Sequence, residues 1–109
     1  MWSCYIGPIS ESYLERWEPH TVSPDQKEPD VYDVVESTRR ICYRLDNHIA
    51  TECFSDRIQV DWGGWAYKVT PDQIREYNRK AGPMYQVPDD LADSLDPEVQ
   101  YAIIDVEIY

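Results

Sequence analysis

The sequence predicts a small α+β domain, a single unit over residues 1–109, with an antiparallel sheet and a helix packed on one face. Three observations carry this. Residues 58–69 alternate apolar and polar side chains about Gly63-Gly64, the pattern of a hairpin. Residues 99–109 alternate again as a C-terminal strand. Between 31 and 45, apolar residues recur at helical spacing.

Taken in chain order, Trp2-Ser3-Cys4-Tyr5-Ile6 reads as a short strand stopped by Gly7-Pro8. Ser10 is placed to cap a short helix through Tyr13, Leu14 and Trp17, which Pro19 ends. Pro19, Pro24 and Pro29 make 18–30 a loop. Val31, Val34, Val35, Thr38, Ile41, Cys42 and Leu45 then form one stripe, predicting a helix over about 30–46. Asp30 is its expected N-cap, and Arg39, Arg40 and Arg44 suit its C-terminal half. Its valines are poor helix formers, so packing must hold it. Residues 48–54 fit either a continuation of that helix or a strand.

A two-residue Gly63-Gly64 turn would pair Trp62 with Trp65, Val60 with Tyr67 and Ile58 with Val69, placing all six on one apolar face. Gln59, Asp61, Ala66 and Lys68 would form the other face. Thr70-Pro71-Asp72-Gln73 is a capping box with proline at the first helical position, flanked by the Val69/Ile74 hydrophobic staple. It opens a helix to about Lys80, stopped at Gly82-Pro83. A loop follows, with one short helix near 88–95. The final strand places Ile104, Val106 and Ile108 opposite Ile103, Asp105, Glu107 and Tyr109.

The charge is −11, with 10 Lys+Arg against 21 Asp+Glu. That balance argues against direct binding to nucleic acid or to an anionic membrane. It is unevenly placed. Residues 1–38 carry eight acids and two bases, 39–80 carry six acids and eight bases, and 81–109 carry seven acids and no base. No apolar run approaches a membrane span, and the start lacks the basic and apolar regions of a secretory signal. A cytoplasmic protein is expected.

The three cysteines, Cys4, Cys42 and Cys53, are expected to be reduced. Cys42, His48 and Cys53 lie close in sequence and His20 is a conceivable fourth ligand, but the tight pairs of a zinc site are missing, so no metal and no cofactor is expected. No nucleophile elbow, phosphate loop or calcium loop occurs.

Nine Tyr and four Trp stand against one Phe. Tyr and Trp beside charges are the composition of protein-binding hot spots. The function these features favour is a non-enzymatic acidic inhibitor or binding protein that neutralises a basic partner. An immunity protein against a nuclease toxin fits, as does a phage-encoded inhibitor that mimics nucleic acid toward a nucleic-acid-binding defence complex. The expected contact residues are Asp89, Asp90, Asp93, Asp96, Glu98, Tyr85 and Tyr101. One alternative is an adaptor subunit using the Trp62/Trp65 hairpin. Another is a small enzyme using His20 or His48 with a cysteine. The bland alternative is that the acids serve solubility or pair within the fold.

Overall fold

The structure, a computed structural model, describes residues 2–11, 34–36, 38–42, 44–54, 56–60 and 64–107. Five antiparallel strands form one sheet: β1 (Trp2–Pro8), β2 (Arg39–Cys42), β3 (Asp56–Gln59), β4 (Trp65–Val69) and β5 (Tyr101–Glu107), in the order β2-β1-β5-β4-β3. The helices that lie wholly among the described residues are α1 (Asn47–Cys53), α2 (Pro71–Lys80) and α3 (Leu91–Ser94), with a 3-10 turn at Pro83–Tyr85. The α+β class is as the sequence predicts. The expected helix from Ser10, the loop at 18–30 and residues 30–33, 108 and 109 lie outside the described residues.

The C-terminal strand is the centre of the sheet, paired with β1 on one side and β4 on the other. Ala102, Ile103, Ile104 and Asp105 are all buried. Successive side chains on a strand point to opposite faces, so the sheet is buried on both faces. Two apolar clusters follow from this. One joins Cys4, Ile6, Tyr67, Val69 and Ile103 to Ala50, Ile74, Tyr77 and Leu91 of the helices. The other joins Ala66, Ala102 and Ile104 to Ile9, Val34, Val35, Ile58 and Val60.

That two-sided burial corrects the hairpin. Ile58 pairs with Ala66 and Arg57 with Tyr67, and the Val60 N–H donates to the Gly64 carbonyl at 3.0 Å. Val60 and Gly64 thus stand where the strands part, and residues 61–63, with the Trp62 and Gly63 positions of the expected turn, lie outside the described residues. The register is three places from the one a Gly63-Gly64 turn would set. An odd shift exchanges faces. Ile58 and Val60 thus go to one cluster, and Tyr67 and Val69 to the other.

The helix expected at 30–46 is also corrected. Val35 bridges Ile9, the Ser10 N–H donates to the Val34 carbonyl at 2.8 Å, and Arg39–Cys42 is the edge strand against β1. The apolar stripe divides, with Val34 and Val35 in one cluster and Ile41 and Leu45 in the other. The register of β1 against β2 shifts between Cys4 and Tyr5. This bulge lets the consecutive residues Ile41 and Cys42 pack into the same cluster. A new helix begins where the predicted one was to end. The Asp46 carboxylate accepts from the Ile49 N–H as N-cap of α1, so residues 48–53 are helical.

The α2 cap forms as the sequence predicts. The Gln73 N–H donates to Thr70 Oγ1 at 3.2 Å, and the Thr70 N–H donates to Gln73 Oε1 at 3.1 Å. Its buried face is more substantial than a surface helix needs, because Tyr77 is fully enclosed. The ring stacks on Phe54 at 5.5 Å. Its hydroxyl accepts from the Asp46 N–H at 2.9 Å and donates to the Tyr85 carbonyl at 2.7 Å. One side chain thus ties the start of α1 to the segment after α2. Tyr77→Phe keeps the ring and strips both backbone partners, so stability should fall by about 1–3 kcal/mol. Urea unfolding checks this, as a lower midpoint at unchanged slope.

Candidate protein-binding surface

The acidic segment is built on the exit from α2. The Asn78 side chain imitates a backbone partner, donating to the Val87 carbonyl and accepting from the Val87 N–H, both at 2.9 Å. Gln86 Nε2 donates to the Ala81 and Asn78 carbonyls that the helix end leaves open. Val87, Leu91 and Ala92 then bury against α2. This platform fixes the backbone on which the acids stand. Asp89, Asp90, Asp93, Asp96 and Glu98 are all exposed.

The seven predicted contact residues do not share one role. Asp89 and Asp90 enter no ion pair among the described residues. Asp93 meets Arg75 at 2.7 Å, and the same guanidinium reaches Asp72 at 2.9 Å. Asp93, then Asp72, holds the Arg75 pKa above its usual value. The segment without a base thus borrows one from α2. Asp96 is used locally, accepting from the Glu98 N–H at 2.9 Å. Tyr85 and Tyr101 are half-buried and pack on the core, and the Tyr101 hydroxyl accepts from the Asp96 N–H at 3.2 Å. These two tyrosines shape the ridge from below.

Beside the ridge lies an open groove of about 670 Å³ between the end of β4, the first turns of α2 and residues 92–100. Lys68, Asp72, Arg75 and Asp93 line it together with Val99. Val99 and Met84 are the exposed large hydrophobics among the described residues, and in sequence they bracket the acidic run.

Two of the described tyrosines belong to the core. Tyr67 and Tyr77 are fully buried, and the Tyr67 hydroxyl donates to Asn47 Oδ1 at 3.3 Å. They are core residues with protein partners, not the half-exposed sheet residues the composition allows. Trp65 is half-buried, with the Arg57 guanidinium 4.2 Å from its ring centroid. His48 is exposed and pairs with Glu52 at 3.3 Å, and His20 lies outside the described residues. Among the described residues, no group of three or more His, Cys, Asp or Glu side chains could hold a metal ion. No described helix is long and apolar enough to cross a membrane.

One constellation is not visible in the sequence. Cys42 opposes Cys4, Cys4 opposes Asp105, and Asp105 opposes Trp65. The Cys4 thiol donates to Asp105 Oδ1 at 3.4 Å, and Asp105 Oδ2 is buried without a hydrogen-bond partner. Burial pushes the Asp105 carboxyl above its ordinary range, against the opposing pull of Cys4, Arg44 and Asn47. The constellation's signal was Asp105, an acid set between Ile104 and Val106. It becomes legible only once the strand is known to be buried on both faces.

No family model matches the chain, and neither a curated protein nor a solved structure shows significant similarity to it.

The Asp105 site makes stability pH-dependent with a definite sign. The folded carboxyl holds its proton more tightly than the unfolded one, so between the two pKa values the folded state binds more protons. The stabilising contribution is full below the unfolded value of about 3.9. It falls as pH rises through the window and is lost above the folded value. Asp105→Asn removes this component. Wild-type stability relative to the variant should therefore decline as pH is raised from about 3 to 7, in paired urea titrations.

Proposed function

We propose that this chain is a non-enzymatic binding protein that captures a basic protein partner on the 89–98 ridge. The observation that carries the reading is the exposure of all five carboxylates of that ridge on a backbone held from beneath. A held array of charge costs little further ordering when a partner docks. It also steers encounter with a basic surface. Met84 and Val99 would supply apolar contact at the margins, as interfaces require alongside charge.

The partner is read as a basic, nucleic-acid-binding protein in the cytoplasm, either a nuclease toxin or a defence complex. Carboxylates spaced along a ridge would take the positions of phosphates in its groove. The adaptor reading draws less support, because the Arg57 guanidinium covers a face of Trp65. An enzyme built on His48 draws less as well, since the side chain pairs with Glu52.

The test is affinity capture at low and high salt, using the wild type and an Asp89→Lys/Asp90→Lys variant. Neither carboxylate makes an ion pair with a described residue, and Asp90 caps the following helix without a side-chain hydrogen bond, so the variant should unfold at the wild-type urea midpoint. A single basic protein should be retained at low salt, displaced by duplex DNA, and weakened at least tenfold by the double reversal, about 1.4 kcal/mol. Retention that is indifferent to the reversal and to DNA would overturn the reading.

A further inference from the structure

We propose that Cys4 and Cys42 form an oxidisable dithiol. Cys42 attacks a small-molecule disulfide of the glutathione type, and Cys4 resolves the mixed disulfide into an intramolecular bond.

The geometry places the two sulfurs for this. Cys4 and Cys42 are directly opposed on antiparallel neighbours. Directly opposed residues have Cα atoms about 4.5–5.5 Å apart, inside the roughly 4.4–6.8 Å range of disulfides. Both side chains belong to the same cluster. That shared face comes from the bulge, since without it Ile41 and Cys42 would point to opposite sides. Both cysteines are free in this structure.

Their surroundings assign different roles. Cys42 is half-buried on an edge strand, whereas Cys4 is fully buried. An external disulfide therefore meets Cys42 first. The neighbouring Cys4 thiol lowers the Cys42 pKa against the opposing effects of burial and Asp105, and the Arg44 backbone and Arg40 add to the lowering. The same contact, with burial, raises Cys4. A thiolate is the attacking species in exchange. Cys4 needs no access of its own, because its target is the adjacent Cys42 sulfur. Asp105 sits 3.4 Å behind Cys4, with a second oxygen that has no partner, and is placed to take the Cys4 proton.

The exchange balances. The Cys42 thiolate attacks one sulfur of glutathione disulfide, forming the mixed disulfide, and one glutathione leaves as a thiolate that takes up a proton. Cys4 then loses its proton by way of Asp105, and its sulfur attacks Cys42 Sγ. The Cys42–glutathione bond breaks, and the second glutathione leaves and is protonated. The protein loses two protons and two electrons, and one glutathione disulfide becomes two glutathione thiols. The product fastens the edge strand β2 to β1.

The experiment is oxidation of the folded full chain with oxidised glutathione, quenched in acid and read by intact mass and a non-reducing peptide map. Wild type and Cys53→Ala should each lose two hydrogens and yield a Cys4–Cys42 cross-linked peptide. Cys42→Ser should gain neither bond nor adduct. Cys4→Ala and Cys4→Ser should keep a stable glutathione adduct on Cys42. If both Cys4 variants fail to fold, the wild-type map and Cys42→Ser decide the matter. A wild-type map with no Cys4–Cys42 peptide, with a bond to Cys53, or with a lasting adduct on Cys42 would overturn the proposal.

Discussion

Burial of the central strand on both faces is the constraint on which the rest of the molecule depends. Ala102, Ile103, Ile104 and Asp105 have no solvent-facing side. Each neighbour must therefore supply apolar side chains to both faces of the sheet. β4 does so with Tyr67 and Val69 on one face and Ala66 on the other. β3 follows by placing Ile58 beside Ala66. The magnitudes favour this outcome over the turn. Burying Ile58, Val60 or Val69 stabilises by about 1.5–3 kcal/mol each. The preference of Gly63-Gly64 for a tight turn is a local term, and the core outweighs it.

The helical side of the sheet is unusual in its polar content, and its groups are handled in two ways. The tyrosines are satisfied: Tyr67 through Asn47, and Tyr77 through Asp46 and Tyr85. Their hydroxyls join α1, α2 and the following segment across the core, so ring burial and backbone capping come from the same residues. Asp105 is handled differently. One oxygen accepts from the Cys4 thiol, the other has no hydrogen-bond partner among the described residues, and the pull of Arg44 and Asn47 does not offset the carboxyl's burial. A buried group in that condition costs stability. The cost falls beside the Cys4–Cys42 pair, where a proton acceptor has chemical use. The exposed acids of the ridge are a separate population, raised on α2 and the Asn78 bracket and away from this row.

Local chemistry was legible in the sequence. The Thr70–Gln73 box, the strand at Trp2, the short helix expected near 88–95 and found at Leu91–Ser94, and the terminal strand each depend on a few adjacent residues, and each is present. Long-range pairing was not legible. The bulge at Ile41-Cys42 puts consecutive residues on one side, which imitates the i, i+1 neighbours of a helix face. Val34 and Val35 completed the imitation although they serve the opposite face. The β-branched residues were the warning sign, since they favour extended backbone. The ridge could be named from charge alone, although its tyrosines turned inward. The Cys–Asp row could not be named, because it needs the register of three strands at once.

The central claim is the two-faced sheet, and the hairpin register tests it most directly. Cross-strand nuclear Overhauser contacts on labelled protein distinguish the registers. The account predicts backbone contacts between Ile58 and Ala66 and between Arg57 and Tyr67. Contacts between Ile58 and Val69 and between Val60 and Tyr67 would contradict it. They would return all the hairpin's large apolar residues to one face and leave the other side of β5 without its cover.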